Sequence, residues 1–291
     1  MRSSVLRLAL FSAAAAAFPT GFSLERSFER ETSSLDEIYK AALKEGDVVT
    51  VWHGGDEKTQ QDSLKQAFET RFPGITLNLT QLATDNFYID SVILQRLHDF
   101  PRWKKQGALL NYAPLNFNKI YPEFRDNAAT YMGLEIVAWS MIYNTLTTDS
   151  NPTGYTDFLK PEFKDKLVLT YSNDNDAVLF QFSLINTNYS ATFTSFIGLN
   201  TFGPLNISFA TEDQFVSWPQ TGVILKDAPH PEGTKLLHNF MLSDEFISQG
   251  GVWSVRSDIA APKGYSKIME QHGTDDKLGT AQGQSPLNDD L

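Results

Sequence analysis

Between residues 34 and 79 the apolar residues switch period repeatedly, from 3.6 to 2 and back, and few folds accommodate that alternation. Ser34-Leu35-Asp36-Glu37 forms a capping box, with a hydroxyl at the cap and a carboxylate at the third helical position. Leu35, Ile38, Tyr39, Ala42 and Leu43 then recur as one helical stripe. Gly46 supplies a stop signal, and Val48 to Trp52 is a β-branched strand. His53-Gly54-Gly55-Asp56 reads as a turn, after which a second helix from about Glu57 carries Leu64, Ala67, Phe68 and Phe72 on one face. Pro73-Gly74 ends it, and Ile75 to Leu79 alternates as a half-buried strand. Helix, strand, helix, strand at this spacing is the signature of an α/β protein wrapped around a parallel sheet.

The same grammar continues. A strand is expected over Tyr88–Leu94, a helix over Leu97–Gln106 stopped by Gly107, and one long apolar strand over Leu134–Tyr143. Phe158-Leu159-Lys160-Pro161 ends a helix, Leu167–Tyr171 is a strand, and Asn173 to Asp176 cap a helix bearing Val178, Phe182 and Ile185. Val223–Leu225 is a late strand. Pro231 sits where a first-turn proline belongs, before an apolar face of Leu236, Leu237, Phe240 and Met241. From His272 onward the chain is polar and Gly-rich, a loose tail.

Arg2 and Arg7 flank a short apolar run, Leu8 to Phe18, rich in alanine. That is the pattern of a secretory signal peptide cleaved near Ala17, and the run is too short to span a bilayer. A secreted or extracellular protein is therefore expected (periplasmic in a bacterium). Three sequons, at Asn78, Asn188 and Asn206, would make it a glycoprotein in a eukaryotic secretory pathway. With 24 basic against 35 acidic residues the net charge is −11, which argues against nucleic acid and anionic membranes as partners. No cysteine is present, which removes disulfides, thiolate metal sites and a Cys nucleophile.

Catalytic signatures are equally absent: no GxxxxGK[ST], no HExxH, no GxSxG. The histidines at 53, 98, 230, 238 and 272 are not at metal-ligand spacing. Asn173-Asp174-Asn175-Asp176 has the look of a calcium loop but lacks its glycine and distal glutamate, so helix capping accounts for it better. No cofactor is expected, and no enzymatic activity.

Six ordered patterns carry a family resemblance. They are Leu35…Ala42-Leu43-Lys44-Glu45-Gly46-Asp47-Val48; Phe68…Arg71-Phe72-Pro73-Gly74-Ile75; Trp103-Lys104-Lys105-Gln106-Gly107-Ala108-Leu109; Ile142-Tyr143-Asn144-Thr145; Phe158 to Lys166; and Lys226 to Glu232. Together the stretch from 35 to 265 resembles the extracellular solute-binding proteins of the type II periplasmic-binding-protein fold. It is most similar to the branch named for ferric-iron transport, and within it to a fungal secreted group. The resemblance implies two α/β lobes joined by crossover strands, with ligand held in the cleft between them, as in ABC-type transport. On that mapping 1–17 is the signal peptide and 18–34 a linker. Lobe one is 35–130 with 220–258, lobe two 131–219, and 259–291 the C-terminal segment and tail. The chain is shorter than the family at 80–81, 185–186 and 277–279, which reads as internal deletions.

In doubly wound sheets ligands meet the carboxyl ends of strands. Two loops stand there: His53-Gly54-Gly55-Asp56-Glu57, and Tyr171-Ser172-Asn173-Asp174. Trp52, Trp139 and Trp218 lie at or near strand ends and are candidates to line the cleft. Ferric-binding relatives use a histidine, a carboxylate and paired tyrosines; here Tyr189 stands alone, and Asp56 or Glu57 falls where the first-loop histidine would, so no metal residue carries over. The expectation is a monomeric, secreted solute-binding protein for a small ligand, cationic or zwitterionic in preference to an oxyanion, with a metal ion as a further option. The alternatives are an enzyme on the same fold using Asp56, Glu57 or Glu135, and a truncated product without function.

Overall fold

The computed structural model describes residues 28–54, 59–80, 88–95, 99–144, 152–165, 167–168, 180–182, 205–213, 215–250 and 253–271. The capping box forms as written: the Ser34 amide and hydroxyl donate to Glu37 Oε2 at 2.8 and 2.7 Å, and helix α1 (Leu35–Glu45) follows. Ile38 and Ala42 face inward. Gly46 behaves differently from the expected left-handed stop. Its φ of 165° is ordinary extended backbone, and a Cβ there would stand 3.0 Å from the His230 ring. Glycine makes room for a neighbour at this position rather than turning the chain.

Strands β2 (Val48–His53), β3 (Thr76–Thr80) and β4 (Ser91–Gln95) are parallel, with helix α2 (Asp62–Arg71) crossing from β2 to β3. Gly74 at φ 94° makes the reversal between α2 and β3 that Pro73-Gly74 promised. Helix α3 (Asp99–Lys105) follows β4 and ends at Gly107, whose φ is 71°. Two further strands, β6 (Met132–Ala138) and β9 (Ser217–Ile224), complete a five-stranded sheet in the order β3-β2-β4-β9-β6, with β9 antiparallel to both neighbours. A second pair, β7 (Met141–Asn144) and β8 (Leu205–Ser208), forms a separate antiparallel sheet. The long apolar stretch 134–143 is therefore two strands in two sheets, parted at Trp139-Ser140.

Other sequence expectations shift too. The helix before Pro161 is a 3-10 turn, Tyr155–Leu159, with a second, Pro161–Phe163, directly after it. Leu167 and Val168 are irregular, and Leu169–Tyr171 lie outside the described residues. Phe180–Phe182 are helical, while the Asn173–Asp176 cap, the signal peptide, Tyr189, His98, the tail from His272 and the three short junctions lie wholly or partly outside the described residues. Within the segment 18–34, a linker on the family mapping, Glu29–Arg30 form strand β1 on β5 (Tyr112–Ala113).

Helix α4 (Pro231–Met241) opens with Pro231 and buries Leu236, Leu237, Phe240 and Met241 as expected. It is not a surface helix, though. Every residue from Gly233 to Met241 is buried, because β2 packs on one side and the β1–β5 corner on another. Its polar residues consequently carry partners. Lys235 Nζ donates to Glu29 Oε1 at 2.6 Å and Glu232 Oε1 at 2.9 Å. Asn239 Nδ2 donates to the Tyr112 hydroxyl, which in turn donates to Glu31 Oε2, each at 2.7 Å. Helix α5 (Asp244–Gly250) follows, and the buried Arg256 guanidinium ties its start, Asp244, to Asp258 and the Leu242 carbonyl. Among the described residues no helix is long and apolar enough to cross a membrane.

Candidate ligand-binding site

The carboxyl ends of β2 and β4 and the amino end of β9 lie along one edge of the sheet, since β9 is antiparallel. The end of β6 joins them: Glu135 pairs with Gln220, Val137 with Trp218 and Ala138 with Ser217. Direct cross-strand partners share a face, and so do residues two apart. Glu135, Val137, Trp218 and Gln220 therefore stand together on one face at this edge. A bulge between Gly133 and Glu135 places an extra residue, Leu134, just before them.

His53 ends β2 and is buried; its Nδ1 is 2.6 Å from the Gly54 carbonyl, while the Gly54 amide donates to Ile93 O at 3.1 Å. A Cβ on Gly54 would lie 3.2 Å from Leu94 Cδ2, so the chain leaves the sheet close against β4. Of the first predicted loop, His53 and Gly54 are thus at the edge, and Gly55, Asp56 and Glu57 lie outside the described residues. The second loop, Tyr171, Ser172, Asn173 and Asp174, also lies outside them. Two of the three candidate tryptophans reach the same place, whereas Trp52 packs against the cluster of Val92, Phe100 and Leu109. Trp218 stacks on Phe180 with ring centroids 5.8 Å apart and planes at 27°, and Trp139 packs on that cluster with Val216.

The crossover chains are held there by named bonds. The Trp139 amide donates to Val216 O at 2.8 Å, and the Val216 amide donates to Gln181 Oε1 at 2.9 Å. Gln181 Nε2 donates to the Tyr155 hydroxyl at 2.7 Å. The aromatic pair is consequently fixed to both crossovers and to the first 3-10 turn.

Sequence reasoning did not find Gln61, Phe180 or Gln220, and weighed Glu135 only as a catalytic carboxylate. Gln61 stands at the N-cap position of α2, makes no side-chain capping bond, and instead donates through Nε2 to Glu135 Oε1 at 3.4 Å. Burial pushes the Glu135 carboxyl above the usual carboxylate range, and the Gln61 bond offsets only part of that. No local pattern couples positions 61 and 135; only the order of β2, β4, β9 and β6 does. Among the described residues no three His, Asp or Glu side chains gather as a metal site.

Residues 92–203 match the family model of the bacterial extracellular solute-binding proteins. No match is found among curated proteins. Iron-bound HitA from Pseudomonas aeruginosa superposes with a TM-score of 0.55 at 14% identity, over 81% of this chain and 98% of that one. The ferric binding protein of Campylobacter jejuni gives 0.51 at 15%, over 81% and 98%. The substrate-binding protein of an ABC transporter from Agrobacterium tumefaciens gives 0.53 at 15%, over 82% and 85%. At such identities the likeness speaks for the fold. Family match and fold agree: residues 92–203 are similar to the bacterial extracellular solute-binding proteins, and the chain has the α/β fold of the type II periplasmic binding proteins.

Proposed function

We propose that the protein is a secreted, monomeric solute-binding protein that holds a small cationic or zwitterionic ligand between its lobes and does no chemistry on it. The lobe division at 35–130 with 220–258 and 131–219 is part of this reading, as is the signal peptide at 1–17. The observation that carries it is the stacked Trp218–Phe180 pair with Trp139 at the same sheet edge as the half-buried Glu135. Aromatic faces attract cations by about 0.5–2 kcal/mol each, and a carboxylate beside them adds full charge complementarity. Helix ends alone would favour anions, but a helix terminus carries only about half a charge. Asp56, Glu57 and Asp174, with Gly55, Tyr171, Ser172 and Asn173, would add the loop walls.

HitA is iron-bound in its solved structure. Iron is a weaker reading for this chain, because the paired tyrosines that ferric-binding relatives use are absent from the sequence around Tyr189. Calorimetry of the secreted, folded protein with spermidine, thiamine, ferric citrate, phosphate and sulfate tests the proposal. Saturable binding of spermidine or thiamine at micromolar concentration is expected. Binding of phosphate or sulfate alone would refute the cationic preference, and release of a chemically altered product would refute the absence of catalysis.

A further inference from the structure

Glu135 is poorly served by its surroundings. It is half-buried on β6, and the one hydrogen bond it receives, from Gln61 Nε2, is long at 3.4 Å. That bond uses Oε1. Among the described residues no donor is seen on Oε2 and no basic side chain pairs with the carboxylate. The contrast with the rest of the molecule is sharp. Asp90 and Asp126 are also buried, and each accepts several bonds: Asp90 from the Thr50 and His230 amides, Asp126 from Thr130, Ala128 and Lys104. Arg256 and Lys235, the buried cations, are each met by two carboxylates.

A carboxylate withdrawn from water without a counter-charge is costly, and natural proteins keep such groups where they act. Gln61 reaches Oε1 from the start of α2, and among the described residues Oε2 is left without a donor. Gln220 stands directly opposite on β9, and the Trp218 ring two residues before it on the same face.

Resting on the cleft reading above, we infer that Glu135, positioned by Gln61, is the residue that selects the ligand: it accepts an N–H from a protonated amine whose alkyl part lies against Trp218. The ligand class is therefore a primary or secondary ammonium, in preference to a quaternary ammonium that presents charge without a donor. Gln61 is a positioning residue; it need not touch the ligand.

Glu135→Gln is the test, because it keeps the shape and the bond to Gln61 while removing the charge. Calorimetry of the wild-type chain and the variant with spermidine, choline and phosphate is read beside ligand-free melting. The expected result is spermidine binding weakened at least tenfold in Glu135→Gln, choline weaker than spermidine in the wild type, and a ligand-free melting temperature equal to or above wild type. Gln61→Ala should weaken spermidine less than Glu135→Gln does. If Glu135→Gln melts lower, the carboxylate serves the fold and the inference falls. Unchanged spermidine affinity in the variant overturns the inference and leaves the cleft reading standing. Wild-type protein that binds choline or phosphate but not spermidine overturns it as well, whereas indifference to all three overturns the inference and the cationic cleft reading together.

Discussion

His238 lies in the last turn of α4 with no exposed surface. The Ser91 hydroxyl donates to Val223 O at 2.7 Å, so toward His238 it acts as acceptor of the Nε2 proton at 2.9 Å. Nδ1 is then a bare acceptor, and it has no partner. Burial without a counter-charge drives the ring's pKa down to about 3, from an ordinary value of 6.5. The sign of the consequence follows. Between those two values the unfolded chain takes up a proton that the folded chain refuses, so stability is full above pH 6.5 and falls on acidification toward pH 3. The slope contributed by this one side chain approaches 1.4 kcal/mol per pH unit. Urea unfolding at pH 7.0, 6.0 and 5.0 should show it, and His238→Gln, which keeps a donor for Ser91, should flatten the profile while lowering stability at pH 7. A variant as acid-sensitive as the wild type would assign the acid limb to other groups.

At the scale of elements, α4 and β2 approach each other closely. A Cβ at Gly233 would lie 2.5 Å from Val49 Cγ2, inside contact distance, and Val49 is itself buried. Gly233→Ala gains about 1 kcal/mol of helix propensity but overpacks a filled core at a cost of about 1–3 kcal/mol. Net destabilisation is expected by denaturant titration; a stabilised variant would mean that the helix can lift off the sheet at no cost. The other contact that anchors α4 is polar. Tyr112→Phe removes the hydroxyl that both Glu31 and Asn239 use, and should cost about 1–3 kcal/mol by the same measurement.

These elements also show how much the sequence could say. Periodicity and punctuation found α1, β2, α2, β3 and the start of α4, because each presents one apolar face with a capping or breaking residue at its end. They failed where a strand changes sheets: nothing in 134–143 reveals that Trp139-Ser140 leaves one sheet for another, since both strands are apolar. Of β9 they found only the end, from Val223: Pro219 and Gly222 are poor strand formers, yet Pro219 lies just beyond the last β4 pairing, Gln95 with Gln220, where no ladder bond to β4 is lost. Lys235, His238 and Asn239 are polar, and only tertiary partners, which no local pattern shows, bury them. At the candidate site, the position of Trp139 and Trp218 near strand ends was legible. Gln61 with Glu135 was not, because that pair exists only through long-range topology.

The molecule as a whole carries a net charge of −11, and its field should act on a ligand before any contact forms. Two contributions can be separated by salt. The long-range attraction between an acidic protein and spermidine is screened once the Debye length shrinks from about 30 Å at 0.01 M to about 8 Å at 0.15 M. The contact with Glu135 lies within a few ångströms in a partly dry site and is screened far less. Steering acts on association, whereas truncating a buried charge contact acts on dissociation. Stopped-flow tryptophan fluorescence with spermidine should therefore show an association rate falling roughly tenfold across that salt range, with dissociation almost unchanged. Glu135→Gln should do the reverse, speeding dissociation while leaving the salt dependence of association close to that of the wild type. If salt acted mainly on dissociation, the ligand's charge would be held by exposed carboxylates at the rim, and the loop residues Asp56 and Glu57 would replace Glu135 as the first positions to substitute.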